Sequence, residues 1–213
     1  SAVAENLVKN KEIKAVSFVG STPIAKKVYE NSTLSGKRCQ ALGGAKNHAL
    51  VMPDADIDYT TNQLISAAYG SSGQRCMALS VAMVCSEVKN EFISSLTEKV
   101  ASLKVGLDIL ESNNFGPLVS ENHKEKVQNY ISLAEKEGSN ILLDGRDVSK
   151  GKNSSNGYHI GPTIIDNVST SMKSYQNEIF GPVLQIMEIK DFDEGVSIIN
   201  KNRFGNGCCI FTS

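Results

Sequence analysis

The stretch Gly73-Gln74-Arg75-Cys76 contains the residues of this chain that are best suited to covalent chemistry. A cysteine thiolate is a strong nucleophile, and a neighbouring arginine favours the thiolate over the thiol. The small residues Gly70 and Gly73 allow other backbone or a substrate to approach closely. The alternative is a buried cysteine that packs as a small hydrophobic residue, because Cys76 is one of five cysteines.

A second candidate site follows the apolar run Ala15–Val19, which has the character of a strand in a parallel sheet. Next comes Gly20-Ser21-Thr22-Pro23, where Thr22 can cap a helix and Pro23 suits its first turn. A glycine turn that leads into a helix N-terminus can hold a phosphate with its amide groups and its dipole. The alternative is an ordinary strand-to-helix turn.

The elements around these sites alternate between strands and helices. A helix at about 57–69 delivers the chain to Cys76, and the apolar run Leu79–Cys85 predicts a strand directly after it. Such alternation indicates βαβ units. We therefore predict an α/β fold of three layers, with a mainly parallel sheet flanked by helices.

The bulk composition is that of an ordinary globular protein, with 40% hydrophobic and 21% charged residues. The net charge of −1 does not favour nucleic acid or an anionic membrane as a partner. The five cysteines are irregularly spaced without a CxxC pair, which argues against a disulfide framework or a zinc site and for a reducing compartment. The three histidines lie far apart in the sequence, so no metal site is predicted.

The ends of the chain suggest a piece of a longer protein. Ser1 is not a methionine, and Ser213 follows the strand-like run Cys208–Phe211 almost directly. Any targeting segment would then lie outside this chain. We expect an intracellular protein, cytoplasmic in a bacterium and mitochondrial in a eukaryote.

Four motifs in order resemble the NAD(P)-dependent aldehyde dehydrogenases over nearly the whole chain. They are Phe18-Val19-Gly20-Ser21-Thr22, Leu42-Gly43-Gly44-Ala45-Lys46-Asn47, Gly73-Gln74-Arg75-Cys76 and Glu178-Ile179-Phe180-Gly181-Pro182-Val183. The resemblance implies that residues 1–42 end the NAD-binding domain and that residues 43–213 form the catalytic domain. It also implies a small-molecule aldehyde substrate and a homo-oligomer, and that the remainder of the family's length is missing, so this piece alone should be inactive.

The resemblance also assigns roles to single residues. Cys76 would attack the aldehyde carbon and carry a thioester after hydride transfer to NAD. Gly20 and Ser21 would lie at the pyrophosphate, Glu178 would bond the nicotinamide ribose, and Phe180 would pack near the nicotinamide. The alternatives are a solvated loop carboxylate for Glu178 and a core residue for Phe180. Lys46-Asn47 is expected to shape a loop near the cofactor.

One departure from the family pattern concerns Leu42. Hydrolytic members carry a glutamate there that activates water, and leucine cannot accept a proton. The thioester should therefore pass to coenzyme A, as in the methylmalonate-semialdehyde subfamily, which the wording Gly44-Ala45-Lys46-Asn47-His48 and Gly73-Gln74-Arg75-Cys76-Met77-Ala78 resembles most. In that subfamily the products are propionyl- or acetyl-coenzyme A, and malonate and methylmalonate semialdehyde stay equally open as substrates.

Arg75 and the remaining cysteines complete the predictions. By resemblance Arg75 would bind the substrate carboxylate, for which a guanidinium fork is suited, and the alternative is a structural ion pair. Cys39, Cys85, Cys208 and Cys209 lie in or beside strand-like runs, and we expect them in the core. Two other functions stay open: a cysteine hydrolase that pairs Cys76 with a histidine, and a degenerate family member without catalysis.

Overall fold

A boundary between Ala45 and Lys46 divides the polypeptide into two units. The computed structural model describes residues 2–106, 114–146 and 157–213. The first unit contains helix α1 (Ala2–Lys9), strand β1 (Ala15–Val19), helix α2 (Thr22–Leu34) and strand β2 (Arg38–Leu42). Strands β1 and β2 pair in parallel, so α2 is the crossover of a βαβ unit. The sequence placed a domain boundary after Leu42, and its assignment of cofactor and catalytic domains stays a prediction.

The second unit is built on a six-stranded sheet with the order β5-β6-β7-β4-β3-β8. Its strands are β3 (Asn47–Val51), β4 (Leu79–Cys85), β5 (Asn140–Leu143), β6 (Thr163–Asp166), β7 (Val183–Ile189) and β8 (Cys208–Phe211). Its helices are α3 (Ile57–Tyr69), α4 (Lys89–Ala101), α5 (Glu121–Lys136), α6 (Lys173–Gln176) and α7 (Phe192–Lys201), with a 3₁₀ turn at Gly70–Gly73. Only the β5–β6 pair is antiparallel among these described strands.

Each face of this sheet has its own apolar core. On one face, Val81 and Met83 of β4 pack with Val127 and Ile131 of α5. On the other face, Ala82 and Val84 pack with residues of α3 and α4 such as Leu64 and Phe92. Alternate residues of a strand point to opposite faces, and a strand covered on both faces is apolar throughout. The predicted three-layer α/β fold is thereby confirmed.

Several local predictions need correction. Thr22 does not cap α2, because Ser21 occupies the N-cap position and the Thr22 hydroxyl instead accepts a hydrogen bond from the amide of Gly44 at 3.0 Å. The 3₁₀ turn and the short helix α6 had no sequence prediction.

In the described part of the chain, no helix has both the length and the apolar character needed to cross a bilayer.

Candidate active site

The motifs of the second unit meet at one end of the strands of the six-stranded sheet. Strands β3, β4, β7 and β8 run in parallel, so their amino-terminal ends lie on the same side of the sheet. Asn47 begins β3, Cys76 lies shortly before β4, and Glu178 and Phe180 lie shortly before β7. Ligands of open α/β sheets usually bind at the carboxyl ends of strands. This candidate site instead lies at the amino-terminal ends of the strands.

A left-handed turn presents Cys76. Ser71, Ser72 and Gly73 have φ values of 54°, 56° and 66°, a region that non-glycine residues rarely adopt. A Cβ atom at Gly73 would overlap the carbonyl oxygen of Gly181. Glycine is therefore required at this position both by its dihedral angle and by the close approach of a second chain segment. That approach brings the Cys76 turn against the segment 178–182.

Asn47 fixes the backbone at Cys76. Its Nδ2 donates to the carbonyl oxygens of Cys76 and Ala78, both at 2.8 Å, and its Oδ1 accepts from the amide of Gly207 at 2.8 Å. Asn206 Nδ2 donates to the same Cys76 carbonyl at 2.9 Å. Asn47 is 2% exposed, whereas the Cys76 residue itself is exposed. Cys76 is thus exposed, while its backbone carbonyl is held by the hydrogen bonds from Asn47 and Asn206.

Two further side chains hold the turn against the loop that precedes α5. The Ser72 hydroxyl donates to the carbonyl of Gly116 at 2.6 Å. The Gln74 Oε1 accepts from the amide of Val119 at 3.0 Å, and its Nε2 donates to the Pro117 carbonyl at 3.4 Å. These tertiary contacts compensate for the unfavourable dihedral angles of the turn.

Arg75 lies at the carboxyl end of α3. Its Nη2 donates to the carbonyls of Ser66 at 2.8 Å and Ala67 at 3.1 Å, where a cation is favoured by the helix dipole. These contacts are to backbone carbonyls, so they do not match the predicted structural ion pair. Toward the described residues, Nε and Nη1 make no hydrogen bond, and the side chain is exposed. Two guanidinium nitrogens therefore stay available for a carboxylate.

Lys46 holds the segment that leads to Glu178. Its Nζ donates to the carbonyls of Ser174 at 2.9 Å and Asn177 at 3.0 Å, and the residue is 2% exposed. Burial lowers the pKa of Lys46 to about 7, and the nearby Glu178 charge acts in the opposite direction. The sequence predicts that Lys46-Asn47 shapes a loop near the cofactor. Instead, these two neighbours hold two different segments, one at Cys76 and one at Glu178.

Phe180 has a backbone conformation that aromatic residues rarely adopt, with φ at 62°. Its carbonyl accepts a hydrogen bond of 2.6 Å from Nε2 of His123. The two rings also meet edge to face, with centroids 6.1 Å apart. Phe180 and Glu178 are both half-buried, so neither is fully covered by the protein nor fully solvated.

His48 and His123 are bonded to residues other than Cys76. His48 Nε2 lies 3.0 Å from the Tyr175 hydroxyl, and burial, followed by the charge of Lys46, lowers the pKa of His48 to about 4. His123 donates to Phe180. Within the described residues, Cys76 has no histidine partner, and no group of three His, Cys, Asp or Glu residues could hold a metal ion.

The other cysteines differ from one another in burial. Cys85 is buried, as expected, and burial raises the pKa of its thiol. Cys39 and Cys209 are half-buried, and burial raises the pKa of Cys209 to about 11. The prediction was wrong for Cys208, which is exposed. Its strand β8 is at the sheet edge, and the core on the α3 side covers its neighbours Cys209 and Phe211.

In the first unit, Gly20 and Ser21 form the turn between β1 and α2. The Gly20 amide donates to the carbonyl of Leu42 at 3.1 Å, and a Cβ at Gly20 would overlap the ring of Phe18. Ser21 makes no side-chain cap bond to α2. The positive end of the α2 dipole therefore lies at a glycine turn, an arrangement that is suited to a phosphate. Leu42 is 51% exposed.

No sequence pattern predicted a role in the candidate site for His123 or Asn206. His123 lies in the first turn of α5, and Asn206 in the loop before β8. Each contacts a predicted residue only through the fold, so no local pattern could have identified either one.

Comparison with known proteins identifies a family and several similar proteins. The family model described as "Aldehyde dehydrogenase family" matches residues 1–213. A malonate-semialdehyde dehydrogenase of Bacillus cytotoxicus is 48% identical over 211 residues, which are 99% of this chain and 43% of that relative.

Two crystal structures are similar to the whole chain. That of methylmalonate-semialdehyde dehydrogenase from Oceanimonas doudoroffii has a TM-score of 0.94 and 50% identity, and covers 97% of this chain and 42% of its own. The second is that of a putative methylmalonate-semialdehyde dehydrogenase from Sinorhizobium meliloti 1021, complexed with NAD. It has a TM-score of 0.95 and 41% identity, and the match covers 99% of this chain and 43% of that one. The chain thus spans less than half the length of the relatives it matches.

Proposed function

The chain belongs to the aldehyde dehydrogenase family, and from that premise we propose that the protein containing it oxidises malonate or methylmalonate semialdehyde with NAD and coenzyme A. The products would be acetyl- or propionyl-coenzyme A, with loss of the substrate carboxylate as CO₂. The observation that carries this proposal is the exposed Cys76, held by Asn47 and Asn206. The names of the similar proteins point to the same substrates.

Cys76 is the proposed nucleophile. Its thiolate attacks the aldehyde carbon and forms a hemithioacetal, and the backbone amide of Cys76 donates to the developing oxyanion. NAD, when bound, accepts the hydride that leaves this carbon. The resulting malonyl-type thioester on Cys76 loses its carboxylate as CO₂, and the carbon left behind takes up a proton. The thiolate of coenzyme A then attacks the remaining acyl thioester and releases Cys76 as the leaving thiolate. The anchored Cys76 carbonyl keeps the adjacent nucleophile in one orientation.

The residues expected to hold NAD have suitable chemistry. The α2 N-terminus at Gly20 and Ser21 suits a pyrophosphate, and the half-buried Glu178 can accept hydrogen bonds from ribose hydroxyls. Phe180 offers a partly exposed ring for an aromatic base. These roles remain proposals that the family resemblance supports.

Leu42 determines the proposed acyl acceptor. A carboxylate at this position would activate water, and the loss of such a general base lowers a rate by about 10²–10⁴-fold. Slow hydrolysis leaves the thioester for a stronger nucleophile, and a thiol suits this role. The free Nε and Nη1 of Arg75 support a further role, in which its guanidinium binds the substrate carboxylate. We also propose that the 213-residue chain is inactive alone, since it spans 43% of its relative.

The test uses the full-length protein that contains this chain. NADH formation from methylmalonate semialdehyde is followed by absorbance, with and without coenzyme A. We expect steady turnover only with coenzyme A, and loss of that turnover in Cys76→Ala. Equal turnover without coenzyme A would show that another group activates water, and the inference from Leu42 would be wrong.

The same assay separates the two alternatives. A degenerate family member would form no NADH with any aldehyde, and its Cys76 would be alkylated no faster than Cys39. A cysteine hydrolase would need no NAD. It would also need a base within hydrogen-bond reach of Cys76, and His48 and His123 are bonded elsewhere.

A further inference from the structure

Two cavities in the second unit share Asn177, the residue before Glu178. The first has a volume of about 430 Å³ and the second about 420 Å³. Residues around the first are Thr170, Tyr175, Gln176, Asn177, Ile198, Lys201, Asn202 and Arg203. Those around the second are Asn122, Glu125, Lys126, Asn129, Tyr130, Leu133, Lys173 and Asn177. We call them the basic cavities, because four cations and one carboxylate line them.

All four cations are exposed, so a negatively charged ligand can reach them from solvent. Among the described residues, the Nζ atoms of Lys126, Lys173 and Lys201 have neither an ion pair nor a hydrogen bond to the protein. Lys126 only approaches the Tyr130 ring, at 5.9 Å from its centroid. Glu125 also lines the second cavity, and in the described part of the chain it makes no ion pair with these lysines.

Two nitrogens of the Arg203 guanidinium bind the protein, and the third makes no hydrogen bond to the described residues. Its Nε donates to the Gln176 carbonyl at 3.2 Å, and its Nη2 donates to Asn177 Oδ1 at 2.9 Å. The guanidinium also lies over the Phe204 ring at 4.4 Å. Toward the described residues Nη1 makes no hydrogen bond. An oriented guanidinium with a free nitrogen is a ready site for a phosphate or carboxylate oxygen.

The two cavities are connected through Asn177. This residue lines both of them, and its Oδ1 accepts a hydrogen bond from Arg203 of the first cavity at 2.9 Å. A ligand with several negative charges could therefore contact cations from both. A single small anion would leave most of these charges unpaired.

The first cavity is connected to Cys76 through Asn206, a residue close in sequence to Arg203. Asn206, three residues after Arg203, donates to the Cys76 carbonyl at 2.9 Å, and three residues span at most about 11 Å. On the other side, Asn177 is bonded by Lys46 and precedes Glu178. A ligand held at Arg203 could therefore extend a flexible arm toward the thioester.

We propose that the basic cavities bind the phosphate groups of coenzyme A while its thiol arm extends to Cys76. This inference rests on the proposed function, which makes coenzyme A the acyl acceptor, and adds the place where it is held. Coenzyme A has the required chemistry, since it is a polyanion with a flexible thiol arm. The proposed site for the NAD pyrophosphate is at Gly20 and Ser21, which does not include these cations.

The first test measures binding directly in the full-length protein saturated with NAD. Coenzyme A is titrated by calorimetry into the wild type, Lys173→Gln/Lys201→Gln and the control Lys190→Gln. Lys190 is an 86% exposed lysine of the same unit that lines neither cavity. Partly exposed charge pairs are individually weak, so we expect the double variant to raise Kd by roughly tenfold and the control to leave it unchanged. Added salt should weaken wild-type binding more than binding by the double variant.

The second test uses pantetheine, which has the thiol arm but no phosphate, as an alternative acceptor. In NADH assays the double variant should raise KM for coenzyme A by a similar factor and leave turnover with pantetheine unchanged. Unchanged pantetheine turnover also shows that the variant is folded.

Three results would overturn the proposed site: equal affinity in all three proteins, equal losses with coenzyme A and pantetheine, or no binding of coenzyme A once NAD is bound. Wild-type turnover that needs no thiol would instead contradict the proposed function. The titration would still decide whether the cavities bind coenzyme A.

Discussion

At the scale of single residues, the pair Lys46 and Asn47 connects more of the candidate site than any motif does alone. Neighbouring side chains at the start of a strand point in different directions. Lys46 reaches the carbonyls of Ser174 and Asn177, while Asn47 reaches those of Cys76 and Ala78. One dipeptide thus sets the positions of the segments that carry the nucleophile and Glu178.

Replacing Asn47 by alanine should impair catalysis. The change removes two buried donors and leaves two carbonyls without them, and such losses are worth about 1–3 kcal/mol. We expect kcat/KM for the semialdehyde to fall by about ten- to a hundredfold. The measurement is steady-state NADH formation by the full-length protein. Asn206→Ala is the control, because the exposed Asn206 donates once to the same Cys76 carbonyl. Equal small losses in both variants would contradict the role given to Asn47.

At the scale of elements, the close approach of Gly73 to Gly181 can be tested separately from backbone strain. Gly73 and Gly36 have nearly equal φ values of 66° and 68°. A Cβ at Gly36 would meet nothing within 4 Å, whereas a Cβ at Gly73 would overlap the Gly181 carbonyl. The two positions therefore share the dihedral penalty of about 1–2 kcal/mol, and only Gly73 adds an overlap.

Gly73→Ala should consequently lower the thermal midpoint of the full-length protein more than Gly36→Ala does. It should also abolish NADH formation, because the segments of Cys76 and Glu178 must move apart. Gly36→Ala should retain activity. Similar midpoints for the two variants would mean that the segments do not contact as described.

The sequence predicted elements well where the signals are local. The helix predicted at about 57–69 is α3, where the Asp56 side chain accepts from the Tyr59 amide at 2.9 Å, and the strand Leu79–Cys85 is β4. The left-handed 3₁₀ turn between them was not predictable. Serines do not favour positive φ, and contacts such as the bond from Ser72 to the Gly116 carbonyl hold it.

The same distinction applies to the candidate site. Cys76, Arg75, Glu178 and Phe180 could be selected from motifs, but their partners could not. His123 and Asn206 contact them only because α5 and the loop before β8 reach the amino edge of the sheet. The exposure of Cys208 likewise follows from the edge position of β8, and the strand order is not encoded in any local pattern.

At the scale of the whole molecule, a buried lysine makes stability depend on pH. In the folded chain burial lowers the pKa of Lys46 from 10.5 to about 7. Between those values the unfolded state binds a proton that the folded state does not, so the free energy of unfolding should rise with pH. Below pH 7 both states are protonated and this contribution is constant. The slope for one proton is at most about 1.4 kcal/mol per pH unit.

Lys46→Met removes this titration while keeping the length of the apolar chain. We expect the thermal midpoint of the full-length wild-type protein to rise, relative to that of Lys46→Met, from pH 7 to pH 9.5, and the difference to be constant from pH 5 to pH 6. Lys190→Met, at an 86% exposed lysine, should run parallel to the wild type throughout. Parallel profiles for Lys46→Met as well would mean that Lys46 keeps its proton when buried. The two carbonyl acceptors and Glu178 would then outweigh the loss of solvent around its amine.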